Sequence, residues 1–189
     1  MAHLPVTEPM TASSRLGRQF QQAVAALRDA DVPVALIGGL ALAAHNIVRA
    51  TQDVDFLADA ARADAAGQAL EALGYRCIHR SEDAANYLRE DQRIDFIFAR
   101  RPITRRLLAA ARPVESSLGT VPVVSREGLI GLKLQAFVND ARRTQDLEDI
   151  RALLRAGRSE LDLGEVRDYF LLFDREPLLE QLLSETAGG

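Results

Sequence analysis

The sequence predicts an α+β fold, with a mixed β-sheet core flanked by helices and a helical C-terminal extension. Three observations carry that expectation. Helical and strand patterns interleave through the first part of the chain, three short strand-like segments follow one another between residues 75 and 100, and the last third reads as helix. With 189 residues, 48% hydrophobic and 26% charged, the chain is long enough for one full core plus a small appended helical piece. The expected division is a disordered tail over 1–12, a core over 13–125 and a helical region over 126–189.

The opening dozen residues are rich in Pro, Thr and Ser, and TASSRLGRQFQQAVAALRDADV then places capping residues before apolar residues at helical spacing. VPVALIG is a short β-branched run closed by glycine, a buried strand, and LALAAHNIV is a short helix beginning at the glycines. QDVDFLAD is the next strand. DAARADAAGQALEALGY is an Ala-rich amphipathic helix ended by Gly74. YRCIHR, ANYLRE and RIDFIFAR form an expected antiparallel meander, ITRRLLAAA a weak helix, and RPVESSLGTVPVVS a hairpin turning near Gly119. SREGLIGLKLQAFVND opens with Ser125 in a capping position, RRTQDLEDIRALLRAG is a helix stopped by Gly157, and the tail is two short helices divided at Pro177.

A formal net charge of −4 argues against holding nucleic acid by bulk electrostatics, which requires clustered Lys and Arg; arginine is plentiful, so local basic patches stay open. Cys77 is the single cysteine, set among apolar and aromatic residues as a small hydrophobe would be, and a reducing cytoplasm is the expected setting. The N-terminal stretch has neither a basic start nor an apolar run, and VPVALIGGLALAA is too short and too broken by glycine to span a bilayer. No membrane association is expected.

The chemistry-bearing residues concentrate in VALIGGLALAAHNIVRATQDVDFLAD, residues 34–59. Gly38 and Gly39 fall at a strand-to-helix turn, which reads either as a tight turn or as a place where backbone N–H groups approach a phosphate. Asp53 and Asp55 are two apart on a strand, so both carboxylates share a face. Like charges so close repel unless a cation sits between them; the plainer alternative is a strand end whose acids cap a turn. Asp95 lies within RIDFIFA, where an acid is expensive unless it is paired or metal-bound. If the two strands are neighbours, three carboxylates converge, as metal-assisted phosphoryl or nucleotidyl transfer requires.

The run G-G, a short helix, R-A-T-Q-D-V-D-F and a later I-D-F-I strand resembles the polymerase-beta-like nucleotidyltransferase superfamily. Within it, G-L-K-L-Q-A followed by R-R-T-Q-D-L-E-D-I is similar to the minimal and abortive-infection (AbiEii-like) nucleotidyltransferases of toxin–antitoxin systems. The resemblance covers roughly residues 32–156. It implies a nucleotidyltransferase core in which Gly38 and Gly39 hold the triphosphate of an NTP. By the same resemblance, Asp53, Asp55 and Asp95 bind Mg²⁺ or Mn²⁺, and Asp95 helps deprotonate the acceptor hydroxyl. Lys133 reaches a phosphate, Arg49 and Thr51 match the R-x-T before the acidic strand, and Asp146 matches a basic-x-x-Asp motif. Gly39 stands where many relatives carry serine.

Read from the residues alone, several of these positions have plainer roles. Lys133 is then a surface lysine on an amphipathic helix, Asp146 and Asp149 pair with Arg142, Arg143 or Arg151 at helical spacing, and Arg49 is a salt-bridge partner of Asp53. His3, His45 and His79 are dispersed, which argues against zinc. The leading expectation is a Mg²⁺-dependent enzyme moving NMP from NTP to a hydroxyl on RNA or protein, as a toxin with an antitoxin partner. The alternatives are a transferase acting on an aminoglycoside or lincosamide, a degenerate nucleotide-binding module, and, less well matched, a metal-dependent phosphohydrolase.

Overall fold

The computed structural model describes residues 14–116, 118–157 and 159–186. The disordered tail expected over residues 1–12 lies outside the described residues. The chain divides into two compact units: one takes the chain up to Ala44 together with Arg49–Val124, the other His45–Val48 with the chain from Ser125 onward.

The first unit is α+β. Helix α1 (Arg15–Asp29) starts where the Ser14 hydroxyl accepts a hydrogen bond from the Gly17 N–H. Strand β1 (Val34–Ile37), helix α2 (Gly38–Ala44) and strand β2 (Asp53–Asp59) follow, then a short 3₁₀ turn over Ala60–Arg62 and α3 (Ala63–Ala72). Gly74, at φ +85°, ends α3 in the left-handed region; its N–H reaches Glu71 and that of Tyr75 reaches Leu70. The meander is β3 (Arg76–Arg80), β4 (Ala84–Arg89) and β5 (Gln92–Ala99), followed by α4 (Pro102–Ala110) and the hairpin β6 (Arg112–Ser116) and β7 (Gly119–Val123).

Among the described residues, seven strands form one mixed sheet in the order β3-β4-β5-β2-β1-β7-β6. β2 runs parallel to β5 and β1 parallel to β7, while the remaining neighbours are antiparallel. Val54, Phe56, Ala58, Ile94, Phe96 and Phe98 alternate onto one face and are fully or almost fully buried. Phe20 of α1 stacks on Phe56 at 6.3 Å between ring centroids, Phe56 on Phe96 at 5.9 Å, and Tyr87 meets Phe96 edge-on. Each such ring contributes roughly 1.5–3 kcal/mol on burial, so this face fixes the register of β2 against β5. Every residue between these is thereby sent to the opposite face.

The second unit is helical, with α5 (Arg126–Asn139), α6 (Thr144–Ala156), α7 (Leu163–Leu172) and α8 (Glu176–Thr186). Ser125 caps α5 by accepting from the Gly128 N–H, and Gly157 is the C-cap of α6. Leu129, Ile130, Leu134, Ile150, Leu153, Val166, Phe170, Leu179 and Leu182 form its core.

Two expectations need correction. The last two helices are not divided at Pro177; the break falls at Asp174, whose φ is +53°, and Pro177 sits in the first turn of α8. A proline there lacks only an N–H that has no partner in the helix, so it starts the helix instead of dividing one. Nor is Cys77 a core hydrophobe: it is half-buried on the edge strand β3, and its Sγ lies 3.4 Å from the His79 carbonyl oxygen. Among the described residues, no helix is long and apolar enough to cross a membrane.

Candidate active site

The parallel register sets Asp53 of β2 opposite Arg93 of β5, and Asp55 opposite Asp95. All four side chains belong to the face that the aromatic core leaves open. On the far side of β5, antiparallel β4 sets Asn86 opposite Asp95; on the far side of β2, β1 sets Ile37 opposite Asp55. The turn leaving β1 therefore delivers Gly38 to Asp55.

Asp95 is held on two sides. Its Oδ1 and Oδ2 accept from Arg93 Nε at 2.8 and 2.9 Å, and Oδ1 also accepts from Asn86 Nδ2 at 2.7 Å. Burial pushes the Asp53 carboxyl above the usual 3.8, the charge of Asp95 pushes it further, and Arg93 and Arg49 pull the other way. Arg93 is itself held above its ordinary range, first by its hydrogen bond to Asp95 and then by the charges of Asp95, Asp53 and Asp55.

Gly38 has φ +65°, the left-handed region, and a Cβ there would come within 2.8 Å of the Asp55 Cβ and closer still to its carboxylate. Gly39 is equally confined. A Cβ at that position would meet Thr51 Cβ at 2.6 Å, Thr51 Oγ1 at 2.7 Å and Arg49 Nη1 at 3.2 Å. Thr51 thus fills the space a serine side chain would take, which gives a local reason for glycine here. Thr51 Oγ1 donates to the Asp53 carbonyl at 3.4 Å and Arg49 Nη1 to the Ala50 carbonyl at 3.0 Å, so the R-x-T segment is pinned to the turn into β2. Gly38, Gly39, Arg49, Thr51, Asp53, Asp55 and Asp95 are all brought together in the first unit.

Lys133 and Asp146 belong to the second unit, where they meet each other. Lys133 Nζ donates to Asp146 Oδ1 at 2.9 Å and lies 2.6 Å from Asp149 Oδ2, the three side chains being 9, 7 and 3% exposed. Arg143 Nε donates to Asp146 Oδ2 at 2.5 Å, and Gln145 to Asp149 Oδ1 at 3.1 Å. Burial alone would raise the Asp146 carboxyl, but the hydrogen bonds from Arg143 and Lys133 outweigh it and hold it below 3.8. Lys133 is therefore no solvated surface lysine. Arg142 does not join this cluster; it pairs with Asp140.

Three carboxylates are hard oxygen donors of the kind Mg²⁺ and Mn²⁺ take, and the repulsion Asp53 feels from Asp95 is what a cation between them would relieve. In kind and number the donors fit a divalent cation. In placement one differs: no three acidic, histidine or cysteine side chains among the described residues form a ready-made metal cage, and Asp95 is turned onto Arg93 and Asn86.

Sequence reasoning missed Arg93, Asn86 and the burial of Asp149. Arg93 was within reach, because a residue two before Asp95 on a strand must share its face. Asn86 was also within reach once the β4–β5 register is set, since the two strands form a hairpin; Asp149 depends on the packing of α6 against α5, for which no short-range spacing exists.

A family model described as an uncharacterised nucleotidyltransferase matches residues 10–183. No curated protein matches the chain. Among solved structures, ANT(2")-Ia in complex with adenylyl-2"-tobramycin is similar at a TM-score of 0.64 and 18% identity, over 85% of this chain and 98% of that one. The lincomycin-bound lincosamide antibiotic adenylyltransferase LnuA is similar at a TM-score of 0.55 and 17% identity, over 72% of this chain and 94% of that one. An antigenic nucleotidyltransferase-like protein from Paracoccidioides brasiliensis gives 0.52 and 18%, over 90% and 94%. At these identities the likeness is one of fold, and it extends to the α+β sheet and C-terminal helices described above. The family match is broader in kind and spans nearly the whole chain: this protein belongs to that nucleotidyltransferase family.

Proposed function

We propose that the chain is a metal-dependent nucleotidyltransferase that moves NMP from an NTP to a hydroxyl acceptor. The observation that carries this reading is the face shared by Asp53, Asp55 and Asp95, with Gly38 packed against Asp55. In the reaction an acceptor oxygen attacks the α-phosphorus, the bond to the bridging oxygen breaks, and pyrophosphate leaves. Asp95 takes the acceptor proton, and the backbone N–H groups of Gly38 and Gly39, with Arg49 and Thr51, hold the phosphates. Asp53, Asp55 and Asp95 would hold Mg²⁺ or Mn²⁺, which when bound neutralises the charge building on the transferring phosphoryl group.

Lys133 is the proposed phosphate contact, with Asp146, which accepts a hydrogen bond from its ammonium, orienting it. For the acceptor we propose RNA or protein, in the cytoplasm, with an antitoxin protein as partner. The second reading is a small-molecule acceptor, an aminoglycoside or lincosamide. It is favoured by the similarity in fold to ANT(2")-Ia and LnuA, whose structures hold adenylyl-tobramycin and lincomycin. A degenerate binding module is disfavoured, because all three acids are present and a module that only binds gains little from their repulsion.

The test is incubation of the pure protein with Mg²⁺ and each α-labelled NTP in turn, offering total RNA, soluble protein and a panel of aminoglycosides and lincosamides. The control is the Asp53→Asn/Asp55→Asn variant. Label on RNA or protein only with the intact acids is the expected result, and label on a drug favours the second reading. Failure of any NTP to bind would overturn both.

A further inference from the structure

We propose that Arg93 is a resident counter-ion that holds Asp95 until a divalent cation takes its place, so that metal entry and release of Asp95 are a single exchange. The proposal rests on reading the acidic face as a metal site.

Arg93 and Asp95 are two apart on β5 and share a face, and the register to β2 sets Arg93 directly opposite Asp53. Its Nε engages both oxygens of Asp95, while Asn86 takes Oδ1 from the other neighbouring strand. The guanidinium thus stands among the carboxylates that a cation would need. It supplies one positive charge where a divalent ion supplies two, and two cations at that range repel. Both cannot serve the same three acids at once.

The two partners differ in freedom. Asp95 is on a short side chain in an interior strand and 23% exposed; Arg93 is long, flexible and 43% exposed, with water in reach. The exchange is therefore a rotation of Arg93 outward, after which Asp95 keeps Asn86 and turns its freed lone pairs to the ion. Arg93 is a positioning residue for Asp95. It lessens the repulsion among the acids in the metal-free protein, and it lowers metal affinity by the work needed to displace it.

The experiment measures Mn²⁺ binding to the full chain by the electron paramagnetic resonance signal of free Mn²⁺, with and without a non-hydrolysable NTP analogue, for wild type, Arg93→Gln and Arg93→Lys. Thermal melting of each is followed with and without the ion. Arg93→Gln is expected to bind Mn²⁺ about tenfold tighter while its metal-free melting temperature falls. Arg93→Lys is expected to gain less, because it gives up the grip on both carboxylate oxygens but keeps a positive charge that repels the ion. A merely structural arginine would lower the melting temperature without tightening the metal. Unchanged or weaker Mn²⁺ binding in Arg93→Gln, or in Arg93→Lys alone should the glutamine variant not fold, overturns the exchange and leaves the nucleotidyltransferase reading standing. Absence of Mn²⁺ binding in wild type even with the nucleotide analogue overturns both.

Discussion

The protein contains two clusters of opposed charges that follow different rules. On the sheet, Asp53, Asp55 and Asp95 are half-buried, and the cations acting on Asp53 are Arg93 and Arg49. Between α5 and α6, Asp146 and Asp149 are buried and matched by Lys133 and Arg143. Among the described residues, Asp146 and Asp149 are met by two cations within salt-bridge distance, whereas Asp53 is pulled by Arg93 and Arg49 and pushed by Asp95. Burial explains the matching between the helices, since a charge withdrawn from water must find its opposite within the protein. The push from Asp95 is tolerated on the sheet because water, and in the proposed reaction a cation, can reach it. The buried cluster fastens two helices, and the half-buried one stays open to water.

The largest effect that separates the two comes from Lys133→Met. Leaving Asp146 and Asp149 buried without their ammonium is expected to destabilise by about 3–5 kcal/mol, measured by urea unfolding. Asp53→Asn should by contrast change stability by less than about 1 kcal/mol, in the stabilising direction, because the amide removes a repulsion. A loss for Asp53→Asn as large as that for Lys133→Met would break the comparison. Gly38→Ala comes next. Strain at φ +65° and the collision with Asp55 are expected to remove about 1–3 kcal/mol, and nucleotide binding in a titration should weaken with it.

The smallest effect is the most diagnostic, because the two clusters respond to acid with opposite sign. Asp146 has its carboxyl held below 3.8 in the fold, so its contribution is fully present above that value and is lost as pH falls through its lower folded value. Asp53 is raised above 3.8, so its contribution is present in full below 3.8 and is lost as pH rises through its folded value. Urea midpoints of the metal-free protein between about pH 6 and about pH 3 read both. Wild type should lose less stability than Asp53→Asn on descending to 3.8, and Asp146→Asn should flatten the loss below it. Parallel curves for wild type and Asp53→Asn would show that the sheet cluster is as well compensated as the helical one.

Much of the sheet cluster was legible because its signals are local. Asp53 and Asp55 share a face by the period of two, Gly38 and Gly39 mark the turn, and Asp95 stands out as an acid among Ile94, Phe96, Ile97 and Phe98. The meander and the hairpin at Gly119 could be read for the same reason, since their pairings are short in sequence. The helical cluster was legible only in its Arg143–Asp146 pair, which follows helical spacing. Lys133 and Asp149 lie on different helices, and a lone lysine on an amphipathic helix looks solvated until its partner helix is placed. Pro177 misled because proline ends one helix and begins another with equal ease, and only the backbone of Asp174 shows which. The parallel pairing of β1 with β7, Leu36 beside Val123, leaves no trace in any short window of sequence.

The parallel pairing of β2 with β5 also has a consequence in time. Asp55 meets Asp95 only after 40 further residues have been made, and β1 waits longer still for β7. On a growing chain the two aspartates of β2 are complete while the strand that aligns them is still inside the ribosome. Pairing β2 with β5 costs more loop entropy than forming the β4–β5 hairpin, so the site is expected to assemble after the local hairpins and helices. A nascent chain halted before residue 90 would carry the D-x-D strand in full and have no assembled site, which delays any activity of this protein until its sheet has closed.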